Sequence, residues 1–469
     1  MSLQSEVQSI GADTNVFSLQ PKMSWREGFL LAIGGPVLVL TAVGPIAAAI
    51  GSASIIAWVI TVVIGVIQTL IYADYVLMYP EKSGGFAVVA TEVYKKYFPK
   101  RTLIGPIISW GYWLGWSPVL SINLLIIGMY LQKLLLPGFS PILIGGILMA
   151  IQGILALYGI KFGAKTQLLL GVFAVVPLLA LGFAPFFTGQ INYANVIPFR
   201  PISGSWLGLG FIVLFLGNAF SAAWCDYATE TAAVYTPEYK NPAKDTPKAI
   251  ISSGIVSIIV YAVVPFTLLG VLGLTTISQD PYVALVTAAQ MVFGKGGSWI
   301  VALMLIAALL LSANTALYGS SRTLYQMAID GTSIKQFGKL NKHNEPYVAI
   351  IFNILLNIGL MFVGTPIFIL VASSVGYLAN VPIVQFSYYY LRKKEPHRPR
   401  GFRIPDFFKY VALGLMVWNG LIVVAGSYSY GWVNFLVGFV IFMSAIPLYY
   451  YRKYAQDKKS RKSPVKTAV

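Results

Sequence analysis

The chain has 469 residues, 57% of them hydrophobic and only 10% charged, with a formal net charge of +17 and a mean hydropathy of +0.73. Soluble domains carry about 25% charged residues, so this deficit makes lipid the solvent for most of the surface. It sets aside a nucleic-acid-binding domain as well, because the basic residues sit in short segments between apolar runs rather than on one polar face. The single cysteine, Cys225, rules out an intramolecular disulfide and a thiolate cluster, and the two histidines, His343 and His397, lie in polar loops. Metal and hydrolytic chemistry therefore have little support, and no cofactor is expected.

Residues 1–24 are polar, lack the pattern of a signal peptide and read as a cytoplasmic tail. Apolar runs follow at 28–50, 54–79, 108–136, 140–159, 166–188, 206–233, 249–274, 297–321, 347–364, 366–391, 408–427 and 431–451. Most reach the ~20 residues that a helix needs to cross a bilayer, which predicts an all-α integral membrane protein with twelve transmembrane helices. With both ends on one side, thirty of the 33 lysines and arginines fall on that side, leaving Lys133, Arg200 and Lys295 on the other. The positive-inside rule then places both termini in the cytoplasm of a multi-pass cell-membrane protein. Residues 452–469 form a basic tail attracted to anionic lipid. Residues 81–101 predict an amphipathic helix lying along the inner interface, and the outer loop 275–296 has room for a short helix.

Two runs carry helix breakers. The first contains Gly34-Gly35-Pro36 and Gly44-Pro45; the sixth contains Gly217 and the small residues Ser221-Ala222-Ala223 before Trp224. Proline removes a backbone hydrogen bond, and freed backbone groups are tolerated in lipid only where they face protein or a wet cavity. Corresponding breaks in two halves of a chain point to a transporter site. An amino acid needs partners for both its carboxylate and its ammonium. The N–H groups of a half-helix suit the first, and open carbonyls with a nearby acid suit the second.

The sixth run also holds Asp226 and Glu230. A charge near the centre of a membrane helix costs about 2.5–3.5 kcal/mol, so acids at that depth mark functional sites. Four residues apart, they share one face of a continuous helix and repel unless a cation, such as a transported ammonium, sits between them. Asp74 reads as a structural anchor. Trp110, Trp113 and Trp116 read as an interfacial aromatic belt. Ser312, Asn314 and Thr315 supply oxygens for interhelical hydrogen bonds, with a sodium site at Ser312 and Thr315 as the alternative.

Five segments carry a family likeness. They are Lys240-Asn241-Pro242-Ala243-Lys244-Asp245-Thr246-Pro247, Ser320 to Gly331 (SSRTLYQMAIDG), Tyr72-Ala73-Asp74 with Pro80 and Ser83-Gly84-Gly85, Gly159-Ile160-Lys161 with Ala164-Lys165, and Leu391-Arg392 before Gly401-Phe402-Arg403-Ile404-Pro405. In this order they resemble a permease of the amino acid–polyamine–organocation superfamily. The resemblance implies a five-plus-five inverted repeat (the LeuT-like APC fold) plus two peripheral helices. Repeat one would cover about 28–188, repeat two about 206–391 and the peripheral helices about 408–451, within a transporter domain at 25–451. It implies secondary active transport of amino acids by alternating access, driven by proton symport, with sodium coupling, exchange, and polyamine or cationic substrates as alternatives. Trp224 then matches the family's aromatic gate and Glu230 its coupling glutamate. The family's glycine-rich first-span motif is not found in order. Gly34-Gly35-Pro36 or Thr41-Ala42-Val43-Gly44-Pro45 must replace it. The expected substrate contacts are Gly34, Gly35, Thr41, Ala42, Val43, Gly44, Phe220, Ser221, Trp224 and Asp226, with Glu230 and Asp226 as proton carriers. The expected partners are a small-molecule amino acid or amine, a co-transported proton or sodium ion, and membrane lipid.

Overall fold

The computed structural model describes residues 21–136, 138–363 and 366–457, and the polypeptide there is almost entirely helical. The elements are α1 (Trp25–Ala32), α2 (Val39–Ile50), α3 (Ala53–Val76), α4 (Gly85–Tyr97), α5 (Ile104–Trp116), α6 (Val119–Leu134), α7 (Pro141–Leu157) and α8 (Ile160–Thr188). After them come α9 (Leu209–Asp226), a 3-10 helix (Tyr227–Glu238), α10 (Pro242–Gln279), α11 (Ala284–Ile329), α12 (Tyr347–Val363), α13 (Pro366–Lys394), α14 (Phe408–Ser429), α15 (Trp432–Met443) and α16 (Ala445–Tyr451). Each of the twelve apolar runs falls on a helix. Among the described residues ten helical segments are long and apolar enough to cross a membrane, whereas α7 and α12 are 17 residues each. The chain is thus an all-α, multi-pass membrane protein. The short helix expected in 275–296 is present as Ala284–Gly294, continuous with α11 through a kink at Gly294.

α3 packs against both α9 and α10, all three contact the α1–α2 segment, and α13 packs against α5 and α14. Apolar side chains point outward to lipid from α8 (Leu169, Val172, Phe173) and α14 (Val417, Leu421, Val424), while α5 and α9 are buried over most of their length. The described end of the amino-terminal segment is held in place: Met23 N–H donates to the Glu238 carbonyl at 2.9 Å and Lys240 N–H to the Met23 carbonyl at 2.7 Å.

Two expectations need correcting here. α4 does not rest free on a surface. Residues 85–91 are buried, and Phe86 stacks on Tyr72 at 4.1 Å and meets Tyr112 edge-on at 4.9 Å. Its apolar face finds protein rather than lipid because the left-handed Gly84 and Gly85 (φ 92° and 73°) turn the chain back into the bundle. Nor do the three tryptophans form a belt. All are buried, with Trp110 Nε1 on the Ile441 carbonyl (3.1 Å) and Trp113 Nε1 on Asn353 (2.9 Å). Buried indoles need such acceptors.

Two buried ion clusters tie helix ends together. Arg322 on α11 pairs with Glu238 (2.6 Å) and Glu345 (3.1 Å), its guanidinium lying over Tyr235 and Tyr318. Asp74 on α3 pairs with Arg392 (2.5 Å) and Arg400 (2.6 Å) and accepts from the Tyr388 hydroxyl at 2.8 Å. That gives Asp74 the geometry of the anchor expected of it. Removing one member of a buried pair strands the others. Arg322→Met is expected to lower stability by about 3–5 kcal/mol, read as thermal or denaturant unfolding in detergent. Adding Glu238→Gln and Glu345→Gln should recover most of the loss, and no recovery would mean that packing, not charge, holds this corner.

Candidate functional site

The helical path opens at two points, and they meet. Between α1 and α2 the chain turns through Ile33-Gly34-Gly35 into a short 3-10 segment, Pro36–Leu38. Glycine is required there by close approach: a Cβ on Gly35 would lie 2.9 Å from the Ala228 carbonyl oxygen, and one on Gly34 2.8 Å from that of Leu311. The second opening follows Asp226, where α9 tightens into twelve residues of 3-10 helix. Such runs rarely exceed 3–4 residues and often mark a hinge. Here hydroxyls satisfy the carbonyls: Thr231 donates to Ala228 (2.6 Å), Thr236 to Ala233 (2.8 Å), Tyr239 to Ala232 (3.0 Å) and Tyr377 to Tyr227 (3.3 Å). The Tyr261 hydroxyl on α10 joins the two openings, lying 3.0 Å from the Gly35 carbonyl oxygen and 2.9 Å from that of Cys225.

These positions correct the sequence reading in two respects. Gly217 and Ser221-Ala222-Ala223 lie within an unbroken α9, and Gly44-Pro45 within α2. Small residues there serve close packing instead: a Cβ on Gly44 would clash with the Pro281 carbonyl, and one on Gly217 with Ser429. The change of helix type after Asp226 also separates the two acids, which do not share a face.

Glu230 is fully buried and held only by neutral donors. Tyr112 reaches both of its oxygens at 3.0 and 2.8 Å, Trp116 Nε1 lies at 3.3 Å and the Tyr377 hydroxyl at 3.2 Å. Asp226 turns the other way, towards α3, where its Oδ2 accepts from the Thr61 hydroxyl. Its Oδ1 is buried and has no hydrogen-bond partner among the described residues.

Two cavities flank this region, each of about 10 Å³, room for about one water. One is lined by Leu38, Gly115, Trp116, Val119, Trp224 and Tyr377, and Trp224 Nε1 donates to the Gly115 carbonyl at 3.3 Å. Trp116 and Tyr377 therefore serve twice, holding Glu230 and walling the space beside Trp224. The other cavity includes Thr41, Ala42 and Ser221, with Tyr282 and Tyr430 among its lining; Ser221 and Tyr430 share a hydrogen bond of 2.7 Å. Of the remaining sequence candidates, Val43 is buried in the apolar core and Phe220 packs on Gly426 and Tyr430. Both lie off these cavities. Thr315 sits against Gly34 and accepts from Gln167 Nε2 at 3.0 Å, while the buried Ser312 hydroxyl has no partner among the described residues. Among the described residues no group of three or more His, Cys, Asp and Glu could hold a metal ion.

Sequence reasoning missed Thr61, Tyr112, Tyr261 and Tyr377. A tyrosine inside an apolar run was the available signal, because its hydroxyl must find an acceptor when buried. Tyr261→Phe leaves two carbonyls at the break points with one donor fewer. A loss of about 1–3 kcal/mol in stability is expected, together with slowed substrate uptake. An unfolding curve and uptake rate both equal to wild type would show that the bridge is incidental.

Residues 23–450 match the amino acid permease family. The branched-chain amino acid permease BcaP of Bacillus subtilis (strain 168) is 27% identical over 95% of this chain and 96% of its own length. The lysine-specific permease LysP of Lactococcus lactis subsp. cremoris (strain MG1363) is 25% identical over 83% of this chain and 80% of its own. The serine/threonine exchanger SteT of Bacillus subtilis (strain 168) is 23% identical over 85% and 88%. A match over nearly the whole chain, on a helical membrane bundle whose first and sixth apolar runs open where they touch, shows that this protein belongs to the amino acid permease family.

Proposed function

We propose that the protein is a secondary transporter that carries an amino acid across the cell membrane by alternating access, coupled to proton entry through Glu230. The observation that carries this reading is the junction of the two helix openings at Tyr261, with Gly35 pressed on the Ala228 carbonyl. A helix break at this depth is tolerable only where its peptide groups find protein partners or a cavity, and broken helices offer the opposed partners that a zwitterion needs. The water-sized cavities correspond to a closed conformation, so binding requires α1–α2 and α9 to move relative to α5 and α13. The reading includes twelve spans in a five-plus-five inverted repeat with two peripheral helices, and both termini in the cytoplasm. Every apolar run lies on a helix and the two openings fall in runs one and six, which supports that arrangement.

Coupling follows from the double use of Trp116 and Tyr377. A proton gained or lost at Glu230 changes which of its oxygens can accept, and so moves two walls of the space beside Trp224. The relatives are named for lysine, for branched-chain amino acids and for serine/threonine exchange, so the substrate class here stays at amino acids. Asp226 favours a second reading, transport of a cationic amino acid or polyamine, because its buried Oδ1 has no hydrogen-bond partner among the described residues. Sodium at Ser312 and Thr315, beside Gly34, is the alternative coupling ion.

In proteoliposomes, Glu230→Gln should abolish the stimulation of uptake by an inward proton gradient while leaving substrate binding measurable. Undiminished gradient-driven uptake would remove Glu230 from the coupling role, and replacing sodium under the same conditions tests the other ion. Asp226→Asn should weaken competition by arginine or putrescine relative to neutral amino acids; unchanged competition would reduce Asp226 to a partner of Thr61. A substrate panel by thermal shift identifies the cargo, since a ligand at a hundredfold excess over its Kd stabilises the folded form by roughly 2.7 kcal/mol.

A further inference from the structure

A larger cavity, of about 260 Å³, lies away from the helix openings at the end of the bundle where α4 runs into α5 and α11 terminates. Lys95 and Arg101 stand on its wall, with Tyr94, Phe98 and Tyr449 as aromatic sides and Gly331 and Thr332 as its far edge. Among the described residues neither Lys95 nor Arg101 pairs with an acid, whereas the adjacent Lys96 is bound by Glu395 at 2.6 Å. The one acid on the wall among the described residues, Asp330, is met by Gln326 Nε2 at 2.9 Å and by the Lys82 ammonium, which also pairs with Glu92 at 3.2 Å, so Lys95 and Arg101 leave the cavity with an excess of one positive charge. Thr102 and Gly105, at the start of the 13-residue α5, complete the basic side. That helix has no side-chain cap; Ile104 N–H donates to the Arg101 carbonyl at 3.3 Å and Pro106 has no N–H, so Gly105 supplies the peptide N–H that favours an anion.

The depth of the cavity is marked by its own neighbours. Tyr450, Tyr451 and Tyr454, next in the chain to Tyr449, are exposed, as tyrosines are at the headgroup level of a bilayer. Arg101 and Thr102 are exposed at the rim, while Tyr94, Gly105 and Thr332 are buried, so the space is a walled pocket rather than a flat basic patch.

We propose that this cavity binds a phosphate-bearing anion, the headgroup of an acidic phospholipid at the membrane surface. The phosphoryl oxygens would sit between Lys95, Arg101 and the start of α5, with the aromatic rings beside the apolar part of the headgroup. An occupant would tie α4 and α5 to the end of α11 and to α16. It would thereby stabilise the conformation in which these elements are packed. The site is separate from the transport path and does not depend on what the protein carries.

The test titrates the purified full-length protein in neutral detergent with short-chain phosphatidylglycerol, against phosphatidylcholine of the same chain length, and follows unfolding temperature. Wild type should show a saturable rise with phosphatidylglycerol alone. Lys95→Gln/Arg101→Gln should shift the midpoint to roughly 30-fold higher concentration, and Thr102→Glu, which puts a negative charge at the rim, should weaken it independently. Lys339→Gln/Lys342→Gln, two exposed lysines away from this cavity, should respond as wild type does. A parallel titration with inorganic phosphate separates the sources. A rise that depends on Lys95 and Arg101 supports the site with a soluble phosphate as its ligand, and a rise confined to lipid supports the headgroup. If Lys95→Gln/Arg101→Gln matches wild type, or if the Lys339/Lys342 pair loses as much, attraction is generic and the site is refuted.

Discussion

Hydrocarbon supplies no water to a freed peptide group, and the centre of this molecule is organised around that constraint. Two helices open where they touch, and hydroxyls both from the opened segment itself and from neighbouring helices meet the carbonyls there. Tyr261 answers both openings at once, and a row of threonine and tyrosine hydroxyls lines the 3-10 stretch that follows. The Gly35 carbonyl also accepts from Leu38 N–H at 2.9 Å and the Cys225 carbonyl from Tyr227 N–H, so each opening keeps its local bond and Tyr261 adds the link between them. Shifting one opening without the other breaks that link, which couples the two movements.

Buried charge comes in two forms with different consequences. Asp74 and Arg322 are met by opposite charges at helix ends, where pairing cancels most of the desolvation cost and resists separation. Glu230 and Asp226, deeper in the bundle, are held by neutral donors alone. A carboxylate without a counter-ion can exchange a proton, or meet a passing cation, without first breaking an ion pair. The ion clusters are fixtures, and the neutral clasps are where a response to substrate or proton can arise.

Much of the fold was legible from composition. Among the described residues ten of the twelve apolar runs sit on helical segments long and apolar enough to cross a membrane and the other two on 17-residue helices, because a membrane helix needs only length and hydropathy, and both are local properties. Gly34-Gly35-Pro36 was recognisable as a break for the same reason, since proline and close-packed glycine act on their own turn. The second opening was misplaced: Gly217 and Ser221 to Ala223 remain helical, and the break follows Asp226, where no glycine or proline comes before Pro237 near the end of the 3-10 stretch. Thr231, Thr236 and Tyr239 support that change of helix type from within the same stretch, and the Tyr377 and Tyr261 hydroxyls reach it from other helices, which a local pattern does not reveal. Trp110, Trp113 and Trp116 spaced by three fit an interfacial belt as well as a buried wall, and only the neighbours of α5 distinguish the two.

The sequence by itself determined an all-helical membrane protein, the approximate place of its spans, the first helix break and the residues at which acids enter the bundle. These depend on the chain's own composition and periodicity. Tertiary structure decided which way each acid faces, that Tyr261 joins the two openings, that Phe220 and Val43 belong to packing rather than to the cavities, and that α4 is buried. Such outcomes depend on which hydroxyl or ring from a distant segment arrives at hydrogen-bonding or van der Waals distance, and no local pattern encodes that meeting.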